Sequence, residues 1–193
     1  MRNELKRGVL FTIVTMALFG GVYPLLMWGV GRVLFPGQAE GSFIRRPDGA
    51  LIGSSLIAQP FTRPEYFHPR PSGVDYNAAS AGGANYGPSN PDYLKAVAER
   101  LDAVTRAEGV SAGQVPSEML TASGGGLDPH IPPNAAELQL ARVARARNTD
   151  PEQIREVVRA HTEGPFLGVF GRDRINVLEL NLSLDERFGR PKQ

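Results

Sequence analysis

The sequence predicts an α+β protein: one N-terminal transmembrane helix followed by a small extracytoplasmic domain with a mostly antiparallel sheet and about three helices. Three observations predict it. Gly8 to Gly31 is a run of 24 residues without a charge. Three later segments repeat apolar residues at helical spacing, two of them opening on Asn-Pro or Asp-Pro. Short apolar runs near residues 43–57 and 166–184 are separated by Gly, Pro and Asn, as strands and turns are.

The uncharged run GVLFTIVTMALFGGVYPLLMWGVG would make a helix of roughly 36 Å, enough to cross a hydrocarbon core of about 30 Å. Gly20, Gly21 and Pro24 would break a soluble helix but are tolerated in a membrane span, where Pro24 introduces a kink. Trp28 suits the outer interface. A buried helix of a soluble domain would be shorter and carry a polar stripe. A cleavable signal peptide fits the basic start, with Gly37-Gln38-Ala39 as a small-x-small site, but its apolar core runs only about 7–15 residues. A retained anchor is the better reading.

Arg2, Lys6 and Arg7 against Glu4 favour a cytoplasmic tail at 1–7, a transmembrane helix at 8–31 and an extracytoplasmic domain at 32–193. Arg32, Arg45 and Arg46 flank the other end, at lower density. The formal charge of +1 then divides into +2 on the tail and −1 beyond it. A domain so balanced is no nucleic-acid binder, which needs a basic face. The absence of cysteine removes disulfides, thiol nucleophiles and cysteine-based metal sites.

Beyond the anchor, Phe43–Arg46 and Leu51–Ile57 flank Pro47-Asp48-Gly49 and predict a hairpin. Residues 58–91 are too aromatic for a flexible linker, so an ordered, irregular segment that packs on something is expected. Asn90-Pro91 opens a helix carrying Leu94, Val97, Leu101 and Val104, closed by Gly109. A second helix covers about 134–147, with Leu138 and Val143 inward and Arg142, Arg145 and Arg147 as a solvated face. Asp150-Pro151-Glu152 opens a third, with Gly164 as its stop. Phe166–Phe170 reads as a short strand. Leu178, Leu180, Leu182 and Leu184 alternate with polar residues and predict a final one.

Chemistry is sparse. In Val115–Ile131, Ser123, Asp128 and His130 invite a hydrolase reading, and Gly124, Gly125 and Gly126 let the backbone approach a ligand or another chain. A nucleophile elbow needs G-x-S-x-G, and Thr121 stands at its first glycine. Asp128 and His130 are also only two residues apart, unlike a triad. The segment reads as a structural or contact loop, and no catalytic residue is assigned. No phosphate-binding loop occurs; Ser80-Ala81-Gly82-Gly83-Ala84-Asn85 is a second, unspecific glycine-rich loop. His68, His130 and His161 lack metal-ligand spacing, so no metal is assigned.

Longer strings are more specific. Gly53-Ser54-Ser55-Leu56-Ile57-Ala58-Gln59-Pro60-Phe61, Tyr66-Phe67-His68-Pro69-Arg70-Pro71-Ser72 and Gly87-Pro88-Ser89-Asn90-Pro91 appear in order. Thr121-Ala122-Ser123-Gly124-Gly125-Gly126-Leu127-Asp128-Pro129-His130-Ile131 and Arg174-Ile175-Asn176-Val177-Leu178 follow. Over nearly its whole length the chain resembles the C subunit (KdpC) of the bacterial Kdp-type potassium-transporting P-type ATPase.

The resemblance implies a non-catalytic accessory subunit of an ATP-driven potassium uptake complex, needed for assembly and activity. Its implied partners are a potassium-channel-like subunit, an ATP-hydrolysing P-type subunit, a small further membrane subunit and the lipid bilayer. The family is described as a catalytic chaperone that raises the ATP affinity of the hydrolysing subunit. No cofactor is intrinsic, and ATP association is implied by the resemblance alone. In the family a serine/glycine-rich segment is compared with the signature loop of ABC-type ATPases; here Ala81 separates Ser80 from Gly82-Gly83, and Asn85 replaces an adjacent glutamine. An outward domain would also hold these loops away from cytoplasmic ATP. Ser80, Gly82, Gly83, Asn85, Ser123, Gly124, Gly125, Gly126, Asp128 and His130 are therefore candidates for partner contact first and nucleotide contact second. The alternative of another class is a membrane-anchored extracytoplasmic enzyme or ligand-binding module acting alone. Nothing resembles a potassium filter loop, so no potassium ligand is assigned.

Overall fold

The computed structural model describes residues 1–46 and 48–190, in two compact units, Met1–Ser54 and Ser55 onward. In the first unit, α1 (Arg2–Ala17), a π-helical turn (Leu18–Val22) and α2 (Tyr23–Leu34) form one uninterrupted rod. It exceeds the expected 8–31 span because the polar first turn, with Arg7 on Glu4 at 3.2 Å, continues the same helix. The π turn has a local cause. Pro24 has no N–H to offer the turn before it, and its ring crowds that turn's carbonyls. Widening the turn relieves this, and the Tyr23 N–H reaches back five residues to the Leu18 carbonyl. Thr12 and Thr15 donate their hydroxyls to the Gly8 and Phe11 carbonyls at 2.9 Å, which removes two polar groups from an otherwise apolar surface. Among the described residues, none of the rod's side chains is buried.

A short α3 (Pro36–Ala39) follows, then β1 (Phe43–Arg45) and β2 (Leu51–Ser54), paired antiparallel with Phe43 opposite Ser54. This is the expected hairpin. Asp48 accepts from the Ala50 N–H at 2.9 Å, and Gly49 turns with φ +84°. Pro47 lies outside the described residues.

The second unit is built on a small antiparallel sheet. Its strands are β3 (His130–Ile131), β4 (Thr162–Glu163) and β5 (Arg174–Asn176), in the order β3-β5-β4. Around them run α4 (Pro91–Glu108), α5 (Pro133–Arg147), α6 (Pro151–Ala160) and α7 (Val177–Phe188). The caps of α4 and α6 are as the sequence indicates: Asn90 accepts from Asp92 N–H, Asp150 from Glu152 N–H, and Gly109 closes α4 at φ +71°. Ile131, Leu140, Val143, Ile154, Ile175, Leu180 and Leu184 form the core, joined by Phe67 from the long irregular segment. Each such side chain, fully buried, contributes about 1.5–3 kcal/mol. The 58–91 segment is ordered and packed, as its aromatics indicate, with a single 3-10 turn at Ala78–Ser80.

Four expectations are corrected. Leu178–Leu184 is not a strand but part of α7. Val177, Leu178, Leu180, Asn181 and Leu184 are buried on a helical face, and Asn176 caps it by accepting from the Leu178 and Glu179 amides. Phe166–Phe170 is a tight turn rather than a strand, closed by bonds between its two end residues, with Leu167 and Gly168 at positive φ. α6 stops at Ala160, four residues before Gly164, because Thr162 and Glu163 pair with β5. Finally, only Arg145 of the three arginines on α5 is solvated; Arg142 and Arg147 are buried by the long segment.

Candidate functional site

The site begins with the fixing of the long segment. Residues 64–68 have no strand partner, yet their backbone is buried and must be satisfied. Two amide side chains substitute for a strand. Asn181 of α7 accepts from the Phe67 N–H at 2.8 Å and donates to its carbonyl at 2.9 Å. Gln139 of α5 does the same for His68, at 2.7 and 3.2 Å.

Two arginines complete the clamp. Arg142 donates to the Pro64 and Tyr66 carbonyls at 2.6 and 2.9 Å, to Gln139, and to the buried Glu108 carboxylate at 2.8 Å. Arg147 donates to the Glu65 carbonyl and to Asp185 at 2.8 Å each, and lies over the Tyr66 ring. The Tyr66 hydroxyl donates to Asp185 at 3.0 Å. Burial pushes the Glu65 carboxyl up, but its backbone hydrogen bond, the Arg63 hydrogen bond and charge, and the Arg147 charge outweigh this and hold it low. Burial, then the neighbouring Arg142 charge, push His68 down, towards the neutral imidazole. Sequence reasoning missed Gln139, Arg142, Arg147 and Asn181 as a set. Their only signal was polarity at positions whose helical neighbours are apolar.

From this fixed stretch the chain runs into the two glycine-rich loops, which the structure brings together. The Ser72 hydroxyl donates to the Gly126 carbonyl at 2.7 Å and accepts from the Val74 and Tyr76 amides. The Gly82 N–H donates to the Gly125 carbonyl at 3.0 Å, and the Ser123 N–H to the Pro71 carbonyl at 3.1 Å. Two glycines are required by this approach. A Cβ on Gly83 would stand 2.6 Å from the Gly124 carbonyl oxygen; one on Gly126, at φ +70°, would stand 2.6 Å from Val74. Gly124 and Gly125 face open space.

Six of the ten candidate residues line two clefts. Gly83, Asn85, Ser123 and Gly124 line one of about 320 Å³, with Tyr86, Tyr93 and Arg100 on its other side. Arg100 donates to the Leu120 carbonyl at 3.0 Å, which ties α4 to this loop. Ser80 stands apart at the end of the 3-10 turn, beside Asn77. Asp128 and His130 line a second cleft, of about 330 Å³, with Arg70, Glu118, Arg172 and Arg174. There Arg70 meets Asp128 at 3.1 Å, and Asp128 accepts from the His130 N–H at 3.0 Å. Burial raises the Asp128 carboxyl; hydrogen bonds from His130 and the Arg70 and His130 charges more than reverse that.

Ser123 is buried and accepts from the Asp128 N–H at 3.4 Å. Among the described residues no hydrogen bond joins Ser123 to His130; the Ser123 hydroxyl and the His130 N–H each meet Asp128 instead. The geometry presents a mixed-charge surface.

Comparison with known proteins places this architecture. The family model described as "K+-transporting ATPase, c chain" matches residues 5–186. The chain is 48% identical over 193 residues to a protein of Citrifermentans bemidjiense, covering 98% of both. It is 46% identical over 194 residues to one of Caldanaerobacter subterraneus, covering all of both chains. A protein of Myxococcus xanthus is 48% identical over 179 residues, 92% of this chain and 85% of that one. All three are named potassium-transporting ATPase KdpC subunit.

Proposed function

The chain belongs to the KdpC family, the c chain of K+-transporting ATPases, and from that premise we propose that it acts as a non-catalytic brace. Its helix anchors it in the cell membrane with residues 1–7 in the cytoplasm and residues 32–193 outside. The outer domain packs on the outer face of the potassium-channel-like subunit and supports the ATP-hydrolysing subunit through the assembled complex. The 58–91 segment and the Ser123–His130 loop are the contact surfaces.

One observation carries this reading. None of the described side chains of Arg2–Leu34 is buried, so its apolar faces are available to lipid and to the helices of other subunits. The clamp supports it too: Gln139, Arg142, Arg147 and Asn181 are engaged in holding a loop still rather than facing an open cleft. In this account the family's effect on ATP affinity is exerted through assembly. Direct nucleotide contact at Ser80–Asn85 is the second reading, favoured by the cleft that joins Gly83 and Asn85 to Ser123.

The test is to purify the complex from detergent-solubilised membranes with and without this chain, and to titrate ATP against the full chain alone. Bracing predicts co-purification with the two large subunits, loss of potassium-stimulated ATPase activity without the chain, and no micromolar ATP binding by the chain itself. Micromolar binding abolished by changes at Gly83 and Asn85 would replace bracing with the nucleotide reading.

A further inference from the structure

Between β4 and β5 the chain makes a turn, Gly164–Gly171, with the sequence GPFLGVFG and no charged residue. Its four large side chains point away from the domain: Phe166, Leu167, Val169 and Phe170 are 68, 75, 76 and 66% exposed. That is roughly 500 Å² of apolar surface, at about 150–250 Å² for each aromatic side chain. A patch of this size lies in the upper part of the range for the largest apolar patch of a monomer, and such patches are often functional.

The backbone of the turn is closed on itself. Phe166 N–H donates to the Phe170 carbonyl at 2.8 Å, and Phe170 N–H returns to the Phe166 carbonyl at 2.9 Å. Gly168 and Val169 donate to the Pro165 and Phe166 carbonyls. These bonds satisfy most of the turn's polar backbone, as tight turns commonly do in water and as an apolar surface requires. Charges begin only at the base. Arg174 pairs with Glu163 at 3.0 Å, Asp173 stands beside it, and Arg172 has no ion-pair partner among the described residues.

We propose that this turn dips into the lipid surface, its four apolar side chains in the boundary between headgroups and acyl chains. Three arguments select lipid over a second copy or a protein groove. The exposed area falls short of the roughly 800 Å² that each partner gives a stable interface. The tip carries no charge, and Arg172, Asp173, Arg174 and Glu163 at its base balance one another, so the apolar side chains alone carry the insertion. The chain's own apolar helix tethers the domain to a bilayer, so even weak insertion is favoured by high effective concentration. The proposal rests on membrane anchoring and is independent of bracing.

The chain has no cysteine, so a single probe can be placed without background. V169C and, as an aqueous control on α4, E99C would each carry a nitroxide in the full chain. The chain would be reconstituted in phosphatidylcholine–phosphatidylglycerol vesicles. Insertion predicts that the V169C label collides several-fold less with a nickel chelate and more with oxygen than the E99C label does. Adding F166S and F170S should return it to control values with unchanged circular dichroism. A V169C label as wet as the control would overturn the proposal. So would one that becomes protected only when the other ATPase subunits are added, which would place the tip on protein.

Discussion

Replacing Asn181 by leucine keeps a branched side chain of similar length but removes both hydrogen bonds to Phe67. Asn181 is 1% exposed, so water cannot replace it, and the Phe67 N–H and carbonyl are left without partners. Each orphaned group costs about 1–3 kcal/mol, and the added apolar burial returns part of that, for a net loss of about 3 kcal/mol. In a protein of this size that lowers the unfolding midpoint by roughly 6–12 °C. Urea and thermal unfolding of the detergent-solubilised full chain would measure it, with exposed Gln153→Ala on α6 as a control within about 0.5 kcal/mol. Hydrogen exchange should accelerate first at the Phe67 amide. A loss below 1 kcal/mol, or exchange at Phe67 unchanged relative to the core of α7, would refute the clamp.

Three further outcomes follow from the same geometry. Arg142→Ala leaves Glu108 and two carbonyls buried without their partner and should cost about 3–5 kcal/mol, whereas exposed Arg145→Ala should stay within about 0.5 kcal/mol by urea titration. Gly126→Ala, at φ +70° and against Val74, should cost about 1–3 kcal/mol, while Gly125→Ala in open space should be near neutral, both read from thermal melts. Glu65 is held below its ordinary value of 4.5, so its stabilisation is complete above that pH and is lost as pH falls through the lower folded value. Glu65→Gln lacks this component, so its urea midpoint should fall less than that of the unaltered chain on going from about pH 5 to about pH 3; equal falls would contradict the assignment.

What could be read from the sequence was local. The Asn90 and Asp150 caps, the first-turn prolines and Gly109 act within a few residues of themselves, and the structure places them as read, while the uncharged Gly8–Gly31 run lies within one longer helix, Arg2–Leu34. What could not be read was tertiary. The Leu178–Leu184 alternation suits a strand on its face, but a helix also buries Leu180 and Leu184, with Asn181 between them. A polar residue at a buried position looks like an error until the loop that it holds is known. The same holds for Gln139 and Arg142, whose partners in the long segment lie 71 to 78 residues away in sequence. In the candidate site, the glycine signal was real at Gly83 and Gly126, but there it serves the meeting of two loops of this chain. Phe166–Phe170 was misread because apolar content alone does not distinguish a buried strand from an exposed turn; Gly168 at φ +73° decides it.

An external brace requires the domain to lie outside the cell membrane. A cysteine at Glu99, exposed on α4, can be labelled with a membrane-impermeant maleimide in cells whose outer envelope has been made permeable while the cell membrane stays sealed. An external brace predicts full labelling before the cell membrane is opened. Labelling only after it is opened would put the glycine-rich loops beside cytoplasmic ATP and contradict the account.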